Sequence, residues 1–486
     1  MSVPTRRRFL EDSLLAAAAA AVGPATMSFA QAEGENSGPN EKLAVAVVGT
    51  GGQGGDHLRA FASRKDTEVT VVCDADETRA QKAAEGVAKL QDGKKPQVVL
   101  DMRKAFDDKS VDLVSTATPN HWHSLVALWA MEAGKDVYAE KPLSHNVFEG
   151  RQVVKAARKH GRICQVGTQC RSTGGMIAAI DFVRSGKIGE VKLARGLCHR
   201  DRQPIGPPGE YPVPKGVDYN LWLGPAPEGP VTRPRFHYDW HWQRLYGNGD
   251  LGNQGVHQMD IAMWGLGVDR LSDSVYSYGG RVGKGWDEDA GDTANTQVVV
   301  HRFGDKTLVF EVRNMKCPPL LGAGVGVIFY GTEGNVVITS YNGGAAFDMD
   351  GKQIETFSAG GDHYDNFIKA VRSRKVEDLN ADVLQGHLSA SLCHLGNISY
   401  YLGAQMPIAE LEKALGGMSD PNEDVLATFG RVKTYLTDNE LDLAATQLAL
   451  GPVLKVDPAA ETILENDAAN LMLAREYRAP FVVPQV

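Results

Sequence analysis

Short apolar runs alternate with longer segments of helical periodicity between residues 43 and 166. The apolar runs predict strands at residues 43–48, 69–73, 98–100, 111–116, 136–139 and 163–166. The segments between them predict helices at residues 77–91, 124–133 and 147–159. Regular alternation of strand and helix is typical of a doubly wound parallel sheet, so we expect residues 42–166 to form an α/β Rossmann domain.

The pattern changes in the second half of the chain, where apolar positions fall on every second residue. This alternation predicts antiparallel strands at residues 295–301, 306–312, 326–330 and 335–339, joined by a strand at residues 191–197. Helical periodicity returns at residues 176–185, 254–264, 363–374 and 383–402. Residues 167–403 are therefore expected to form an α+β domain with a large open, mostly antiparallel sheet. Residues 404–486 form a C-terminal extension, in which residues 467–477 are predicted to be helical.

The first apolar strand runs directly into the pattern Gly49-x-Gly51-x-x-Gly54. In a dinucleotide-binding turn, the first glycine permits the tight turn and the second lets the backbone approach a pyrophosphate. The third allows the helix to pack closely on the strand.

The second predicted strand ends in Asp74, about twenty residues further on, at the position where a Rossmann unit binds the adenosine ribose. A carboxylate there accepts hydrogen bonds from the ribose diol and repels a 2′-phosphate, which favours NAD over NADP. The alternative is that Asp74 caps the helix that starts near Glu77. The combination of strand, glycines, helix and acid favours dinucleotide binding.

Residues 1–32 have the layout of an export signal. TRRRFL at residues 5–10 resembles the twin-arginine motif, and an alanine-rich run and the small-residue pattern SFA or AQA at residues 28–32 follow it. We therefore expect the twin-arginine export machinery as a partner, a periplasmic or otherwise exported location, and a flexible leader at residues 33–41. The alternative is a basic N-terminal arm with an amphipathic helix.

Composition excludes several classes of protein. The apolar run at residues 14–22 is too short to span a bilayer as a mature helix, so no stable membrane insertion is expected. The net charge of −9, with no basic cluster beyond the N-terminus, argues against a nucleic-acid partner. The six cysteines lack metal-ligand spacing, and we predict no metal site.

Two predicted strands of the parallel sheet end in polar residues. TATPNHWH occupies residues 116–123, and Glu140-Lys141-Pro142 follows the strand at residues 136–139. Ligands of open α/β sheets bind at this carboxyl edge. Together with the glycine turn, Asp74 and GVHQMD at residues 255–260, these motifs resemble the Gfo/Idh/MocA oxidoreductases, named after glucose-fructose oxidoreductase and inositol dehydrogenase. The resemblance covers about residues 42–405.

The resemblance implies that Lys141 lies beside the nicotinamide and binds a substrate hydroxyl as hydride leaves the adjacent carbon. It implies that His257 is the general acid or base, and that Asn253 stands where simple dehydrogenases of the family have aspartate; an amide orients a substrate but carries no proton. Glu140 is expected to orient Lys141 or the ribose. The other residues that the resemblance assigns to cofactor or substrate are Thr118, Pro119, Asn120, His123, Gln169 and Arg171. It also implies a dimer interface on the exposed face of the second sheet, in a homo-dimer or homo-tetramer.

Aromatic and polar residues are concentrated in FHYDWHW, at residues 236–242. Aromatic rings stack on the apolar faces of sugar rings, and polar side chains bind hydroxyl groups, so we expect Tyr238, Trp240, His241 and Trp242 to contact a carbohydrate-like substrate. The alternative is an aromatic core cluster, the role we expect for Trp222 and Trp264. The proline- and glycine-rich stretch at residues 203–230 is predicted to be a functional loop.

Two functions fit these residues. The first is an NAD-dependent oxidoreductase that acts on a hydroxyl of a sugar, sugar derivative or polyol with a tightly bound cofactor. The second is a glycoside hydrolase or lyase in which bound NAD oxidises a sugar carbon transiently. A sugar-binding protein that retains an inactive Rossmann domain is a third reading, and the presence of both Lys141 and His257 argues against it.

Overall fold

The computed structural model describes residues 42–486, so the predicted export signal and leader lie outside the described residues. The first domain is built on a six-stranded parallel sheet with the order β3-β2-β1-β4-β5-β6. Its strands are β1 (Leu43–Val48), β2 (Thr67–Cys73), β3 (Gln97–Val99), β4 (Leu113–Thr116), β5 (Asp136–Ala139) and β6 (Cys164–Val166). The predicted doubly wound sheet is confirmed. The strand order reverses between β1 and β4, which opens a crevice at the carboxyl ends of these strands.

Helices cover both faces of this sheet. They are α1 (Gly52–Ala62), α2 (Glu77–Leu90), α3 (Met102–Asp107), α4 (Asn120–Glu132) and α5 (Val147–Lys159). Phe61 of α1 and Val87 of α2 are buried on one face, and Leu125 of α4 and Val153 of α5 on the other. Helix α4 begins earlier than predicted because Pro119 occupies its N-cap, where a proline needs no backbone N–H partner.

The second domain is built on a twelve-stranded sheet, ten of whose strands form the path β14-β13-β12-β11-β7-β10-β9-β8-β16-β15. Only its β7–β10 pair is parallel among the described pairings, so the predicted mostly antiparallel sheet is confirmed. The strands are β7 (Val191–His199), β8 (Ser274–Gly280), β9 (Thr296–Phe303), β10 (Lys306–Arg313), β11 (Val325–Gly331), β12 (Gly334–Ser340), β13 (Gly343–Asp348), β14 (Gln353–Ser358), β15 (Ala404–Pro407), β16 (Gln447–Leu450), β17 (Leu454–Asp457) and β18 (Thr462–Leu464).

Further helices link this sheet to the first domain. They are α6 (Gly174–Arg184), α7 (Tyr219–Leu223), α8 (Gly249–Asn253), α9 (Gly255–Leu266), α10 (His363–Ser373) and α11 (Val383–Tyr401). Helices α6, α9 and α11 bury their apolar residues against one face of the large sheet. Phe367 and Ile368 of α10 are instead buried in the core of the Rossmann domain, beside Phe61. The two domains therefore share packed elements around the crevice.

The C-terminal extension covers part of the other face of the large sheet. Its helices are α12 (Ile408–Gly416), α13 (Val425–Asp438) and α14 (Asp467–Leu471). Leu411 and Phe429 pack with Tyr278 and Val298, so the face of β8–β10, which we expected to be exposed, is covered by the same chain. Helix α14 ends before the predicted boundary of residue 477. No helix among residues 42–486 is long and apolar enough to cross a membrane.

A buried ionic cluster joins α13 to the sheet. The Glu311 carboxylate on β10 accepts hydrogen bonds from Arg195 on β7 (2.6 Å) and Arg431 on α13 (2.8 Å), and it also contacts Arg313. Glu423, just before α13, binds Arg195. Glu311 is fully buried. We refer to these five residues as the arginine–glutamate cluster.

Candidate active site

The glycine turn has no room for larger residues. Gly49 follows β1 with φ +82°, and a Cβ atom there would lie 2.7 Å from the Ala117 backbone after β4. At Gly54, in the first turns of α1, a Cβ atom would lie 1.9 Å from the Gly49 carbonyl oxygen. The strand, turn and helix are thus packed backbone to backbone, which leaves the start of α1 and its N–H groups facing the crevice. This is the geometry that a pyrophosphate requires.

Asp74 lies at the carboxyl end of β2 and its carboxylate is held in place. Oδ2 accepts hydrogen bonds from Thr50 N (2.8 Å) and Thr50 Oγ1 (2.9 Å), and Oδ1 accepts one from Asp76 N (3.0 Å). The N-cap of α2 is Asp76, whose side chain binds Arg79 N. Asp74 therefore does not cap the helix, and it ties the glycine turn to the end of β2.

A cleft of about 310 Å³ runs from Asp74 to the second domain. Most residues that the sequence assigned to the site line it together. They are Gly49, Gly51, Asp74, Thr118, Pro119, Asn120, His123, Glu140, Lys141, Tyr238, Trp240, His241 and Asn253. Five assigned residues are not in its lining, namely Gly54, Gln169, Arg171, Trp242 and His257.

Lys141 lies where the two domains meet. Its ammonium donates hydrogen bonds to Asn253 O (3.1 Å) and Asn253 Oδ1 (3.5 Å). Burial lowers the pKa of Lys141 below its ordinary value, although the nearby charges of Glu140 and Asp250 act to raise it. A lysine in this environment can exchange a proton more readily than one on the surface.

His257 lies on α9, one turn after Asn253, and is 3% exposed. Its ring lies 5.2 Å from that of Tyr341, and its Nδ1 has no hydrogen-bond partner among the described residues. Burial and the charge of Lys141 lower the pKa of His257 to about 3, so the imidazole is neutral near pH 7. A neutral imidazole is able to accept a proton.

The aromatic segment divides into exposed and buried rings. Tyr238 is 53% exposed at the cleft, whereas Trp240 and Trp242 are buried. His241 stacks on Trp240 with a centroid distance of 3.6 Å, and burial lowers its pKa to about 3. Tyr238 and His241 thus present polar and aromatic groups to a ligand, and Trp240 supports them from behind. Trp222 is buried, as expected.

Arg171 and Gln169 lie in a short 3-10 helix after β6. The Arg171 Nε donates to both carboxylate oxygens of buried Asp260 (2.9 and 2.8 Å), and its guanidinium lies 5.2 Å from the Trp264 ring centre. Arg171 is therefore paired within the second domain, behind the cleft.

Sequence reasoning missed several residues of the cleft, namely Asp101, Trp122, Arg79 and His237. The guanidinium of Arg79 lies over the glycine turn, 2.5 Å from where a Cβ atom of Gly51 would be. His237 Nε2 lies 3.1 Å from Asp76 Oδ2 across the cleft. The signal available in the sequence was an arginine in the first turn of α2, directly after the acidic end of β2.

The predicted loop folds back over the adenosine end of the cleft. Asp218 N donates to Ala75 O (2.8 Å), and Glu77 N donates to Gly216 O (3.0 Å). Trp122 Nε1 donates to Trp222 O (3.1 Å). Residues 203–247, which we call the covering segment, are thus bound to the Rossmann domain at several points along the cleft.

Comparison with family models identifies both domains. Residues 43–168 match the Gfo/Idh/MocA model described as "Oxidoreductase family, NAD-binding Rossmann fold", and residues 208–277 match the model described as "Oxidoreductase family, C-terminal alpha/beta domain". Both segments therefore match models of the Gfo/Idh/MocA oxidoreductases. The resemblance inferred from the motifs is confirmed.

Relatives within the family carry different activities in their names. Inositol 2-dehydrogenase of Arthrobacter sp. (strain FB24) is 33% identical over 172 residues, which is 35% of this chain and 48% of the relative. A glycosyl hydrolase family 109 protein of Solibacter usitatus is 27% identical over 210 residues, 42% of this chain and 48% of the relative. The chain spans about half the length of these curated relatives.

Among solved structures, the WlbA dehydrogenase of Bordetella pertussis, in complex with NADH and UDP-GlcNAcA, has a similar fold. The TM-score is 0.54 at 19% identity, with 72% of this chain and 94% of that chain covered. This similarity extends over both domains and shows the shared fold.

The cleft of this chain fits a dinucleotide. Gly49 and Gly51 line the cleft without side chains, Asp74 keeps a lone pair for a ribose diol, and Lys141 lies at the opposite end. These residues would hold the adenosine ribose, the pyrophosphate and the nicotinamide in that order.

Proposed function

We propose that the protein is an NAD-dependent oxidoreductase that acts on a hydroxyl group of a sugar, sugar derivative or polyol. The observation that carries this proposal is the position of Lys141 in the same cleft as the glycine turn and Asp74, beside Asn253 and close to neutral His257. The names of the relatives support it, because one is an inositol 2-dehydrogenase and a structural neighbour binds a sugar nucleotide with NADH.

Bound NAD supplies the hydride acceptor at the inner end of the cleft. Oxidation of an alcohol also releases the hydroxyl proton, and the chain has two groups that handle it. Lys141 is held by Asn253 O, and its lowered pKa makes exchange of a proton easier. His257 is neutral and its Nδ1 has no hydrogen-bond partner among residues 42–486, so it is available to bond the substrate hydroxyl while Lys141 exchanges the proton. Asn253 orients Lys141 and carries no proton.

The substrate class follows from the groups around Lys141. Tyr238 exposes an aromatic face, and His241 and Asn253 offer hydrogen-bonding groups. An exposed ring with polar neighbours is suited to the apolar face and the hydroxyls of a sugar.

The test is a spectroscopic assay of Lys141 variants. The purified protein is mixed with NAD and with myo-inositol, glucose and glucuronate in turn, and NADH absorbance is followed. We expect Lys141→Met to lower kcat by about 10²–10⁴-fold while NAD still binds, because general acid–base catalysis contributes that factor. Lys141→Arg keeps the positive charge, so we expect it to preserve binding of the substrate hydroxyl, seen as KM, better than kcat. Lys155→Met, an exposed lysine on α5, is the control. Full activity of Lys141→Met would overturn the assignment.

The second candidate is a redox-neutral glycoside hydrolase or lyase. It is favoured by the similarity to a glycosyl hydrolase family 109 protein and by Asn253 in place of an aspartate that could carry a proton. An aryl α-N-acetylgalactosaminide distinguishes the two. Release of the aryl group without net NADH would support the hydrolase, whereas NADH accumulation with a free polyol would support the oxidoreductase.

Export by the twin-arginine route, a periplasmic location and a tightly bound cofactor form one further part of the proposal. The TRRRFL motif supports export, and the covering segment over the adenosine end supports retention of the nucleotide. Acid extraction of protein purified from the periplasm, followed by mass spectrometry, tests both. We expect near-stoichiometric NAD, and empty protein would contradict retention. Light scattering of the same sample tests the expected homo-dimer or homo-tetramer.

A further inference from the structure

A buried histidine connects the glycine turn to the Glu140-Lys141 motif. His57 lies on α1 and is 0% exposed. Its Nδ1 lies 2.8 Å from Ser115 Oγ on β4, and its Nε2 lies 3.2 Å from Glu140 Oε1 at the end of β5. The ring thus bridges the helix that begins at the glycine turn and the two strands that carry the polar residues of the cleft.

The direction of each hydrogen bond follows from the charge of Glu140. Burial acts to raise the pKa of Glu140, but the hydrogen bond from His57 and the charge of Lys141 outweigh it and lower the pKa to about 2. An ionised carboxylate only accepts hydrogen bonds. Nε2–H of His57 therefore donates to Glu140, and Nδ1 accepts from the Ser115 hydroxyl.

The carboxylate of Glu140 has little freedom to move. Its Oε2 accepts a hydrogen bond from the backbone N–H of Lys141 (3.1 Å). A Cβ atom at Gly167 would lie 2.7 Å from its Oε1, so the carboxylate is packed against the backbone after β6. With the two oxygens bound to His57 and to the Lys141 amide, the Lys141 ammonium reaches Asn253 instead.

We propose that His57 is a positioning residue that fixes Glu140 and, through the Lys141 backbone N–H, sets the direction and the protonation of the Lys141 side chain. This rests on the proposed function of Lys141. His57 then links α1, the helix of the dinucleotide-binding turn, to Lys141. A shift of α1 on nucleotide binding would be transmitted to Lys141 through this one side chain.

Ser115, His57 and Glu140 have the chemical order of a hydrolase triad, but they are not one. Ser115 and His57 are fully buried, and Ser115 lies within the central strands of the parallel sheet. A substrate carbonyl cannot reach Ser115 Oγ. These hydrogen bonds can therefore only stabilise the charge of Glu140 and fix its orientation.

Titratable and charged groups from several elements surround Glu140 and Lys141, whose pKa values the proposal involves. Around Glu140 they come from α1, α4, β5 and α10, and around Lys141 from the segment after β7, the covering segment, α8 and α9. For Glu140 they are His57, His123, Tyr138, Lys141, His363 and Tyr364; for Lys141 they are Glu140, Arg200, Arg202, His241, Asp250 and His257. Glu140 is the largest of the nearby charges that raise the pKa of Lys141. Once Glu140 Oε1 loses its His57 donor, it can accept a hydrogen bond from the Lys141 ammonium, which raises the pKa of Lys141.

Two amide variants separate the two hydrogen bonds of His57. In His57→Gln, the side-chain nitrogen can reach the position of Nε2 and keep the donor to Glu140. In His57→Asn, the shorter amide reaches only the position of Nδ1, so Glu140 Oε1 loses its donor. Ser115→Ala leaves the His57–Glu140 pair intact and removes the bond to Nδ1, which provides a third variant if His57→Asn fails to fold.

The measurement is the pH dependence with which an amine-reactive reagent, fluorodinitrobenzene, labels Lys141, read by mass spectrometry on the NAD-loaded full chain. It needs no substrate. We expect His57→Asn to move the labelling midpoint of Lys141 to higher pH, because the freed Glu140 carboxylate stabilises the ammonium. His57→Gln should return the midpoint close to wild type, and the midpoint of Lys155 should be unchanged. Equal midpoints in wild type and His57→Asn would overturn the proposal, as would equal shifts in the Asn and Gln variants.

Turnover provides the second readout. A misplaced lysine costs roughly 100-fold in kcat, so we expect a loss of that size in His57→Asn and recovery in His57→Gln. If wild type does not oxidise any polyol, the proposed function fails while the labelling result still decides the role of His57. If wild type is active and the labelling midpoint does not move, the role of His57 fails alone.

Discussion

Replacement of Asp74 by alanine tests how the cleft distinguishes NAD from NADP. Three of the roughly four lone-pair sites of this carboxylate are used by Thr50 N, Thr50 Oγ1 and Asp76 N. The remaining site on Oδ1 is left for the ribose diol. A hydrogen bond to a charged group contributes about 1.5–3 kcal/mol, so loss of this bond should raise the Kd for NAD by about 10–150-fold.

Asp74→Ala also loosens the glycine turn, because Thr50 loses its acceptor. That effect weakens both nucleotides equally and cancels in the ratio of their Kd values. The ratio therefore isolates the ribose, and we expect it to shift toward NADP because the repulsion of a 2′-phosphate is removed. Isothermal titration of both nucleotides measures it, with Asp107→Ala on α3 as the control. If both Kd values rise by the same factor, Asp74 acts only through Thr50 and the preference for NAD has another origin.

Two further substitutions have matched controls. Gly54→Ala should abolish nucleotide binding in the same titration, since its Cβ would lie 1.9 Å from Gly49 O, whereas Gly86→Ala at an exposed position of α2, outside the cleft lining and with nothing within 4 Å, should bind normally. Glu311→Gln should destabilise α13 by about 3–5 kcal/mol, because it leaves arginines of the arginine–glutamate cluster without a counter-charge. Hydrogen exchange of the α13 amides measures this, and the partly exposed Glu412→Gln should cost less than about 1 kcal/mol. Comparable exchange in the two variants would contradict the role of the cluster.

The same cluster predicts the effect of acid. Burial acts to raise the pKa of Glu311, but the charges of Arg313, Arg195 and Arg431 lower it below its usual range. Because the folded-state pKa is depressed, this stabilisation is present above the unfolded pKa of about 4.3 and is lost as the pH falls through the folded pKa. Exchange of α13 should therefore accelerate in acid in wild type and depend less on pH in Glu311→Gln.

The Rossmann domain was predictable because its signals are local. Each strand is a short apolar run. The glycine pattern marks the turn after β1, and Asp74 marks the end of β2, so each signal comes from residues that are close together in the sequence. The strand at Asp136–Ala139 and the helix at Val147–Lys159 have the predicted bounds. Strands without such local signals were harder to predict. β13 and β14 were missed because glycine, alanine and polar residues weaken the alternation, and both strands rely on pairing with β12.

The site was predictable where a motif carried it and not where tertiary contacts did. Lys141 and Asn253 meet across 112 positions of sequence, and only the family resemblance indicated that both belong to one site. His57 carried no signal of its own, because a histidine on an amphipathic helix is usually structural. Arg171 was assigned to the substrate on its position after β6, but its partner, Asp260, is fixed by the packing of α9 against the 3-10 helix.

The helices of the C-terminal extension change what the large sheet can do for assembly. They bury, within one chain, apolar residues of β8–β10 that would otherwise lie on an open face of the sheet. A chain that ended before residue 408 would expose Tyr278 and Val298 to water and lose Arg431 from the buried cluster. A contact between copies through this face has to use β11–β14, where Tyr330 and Phe347 remain partly exposed. The extension therefore restricts any self-association through this face to the part of the sheet that it leaves uncovered.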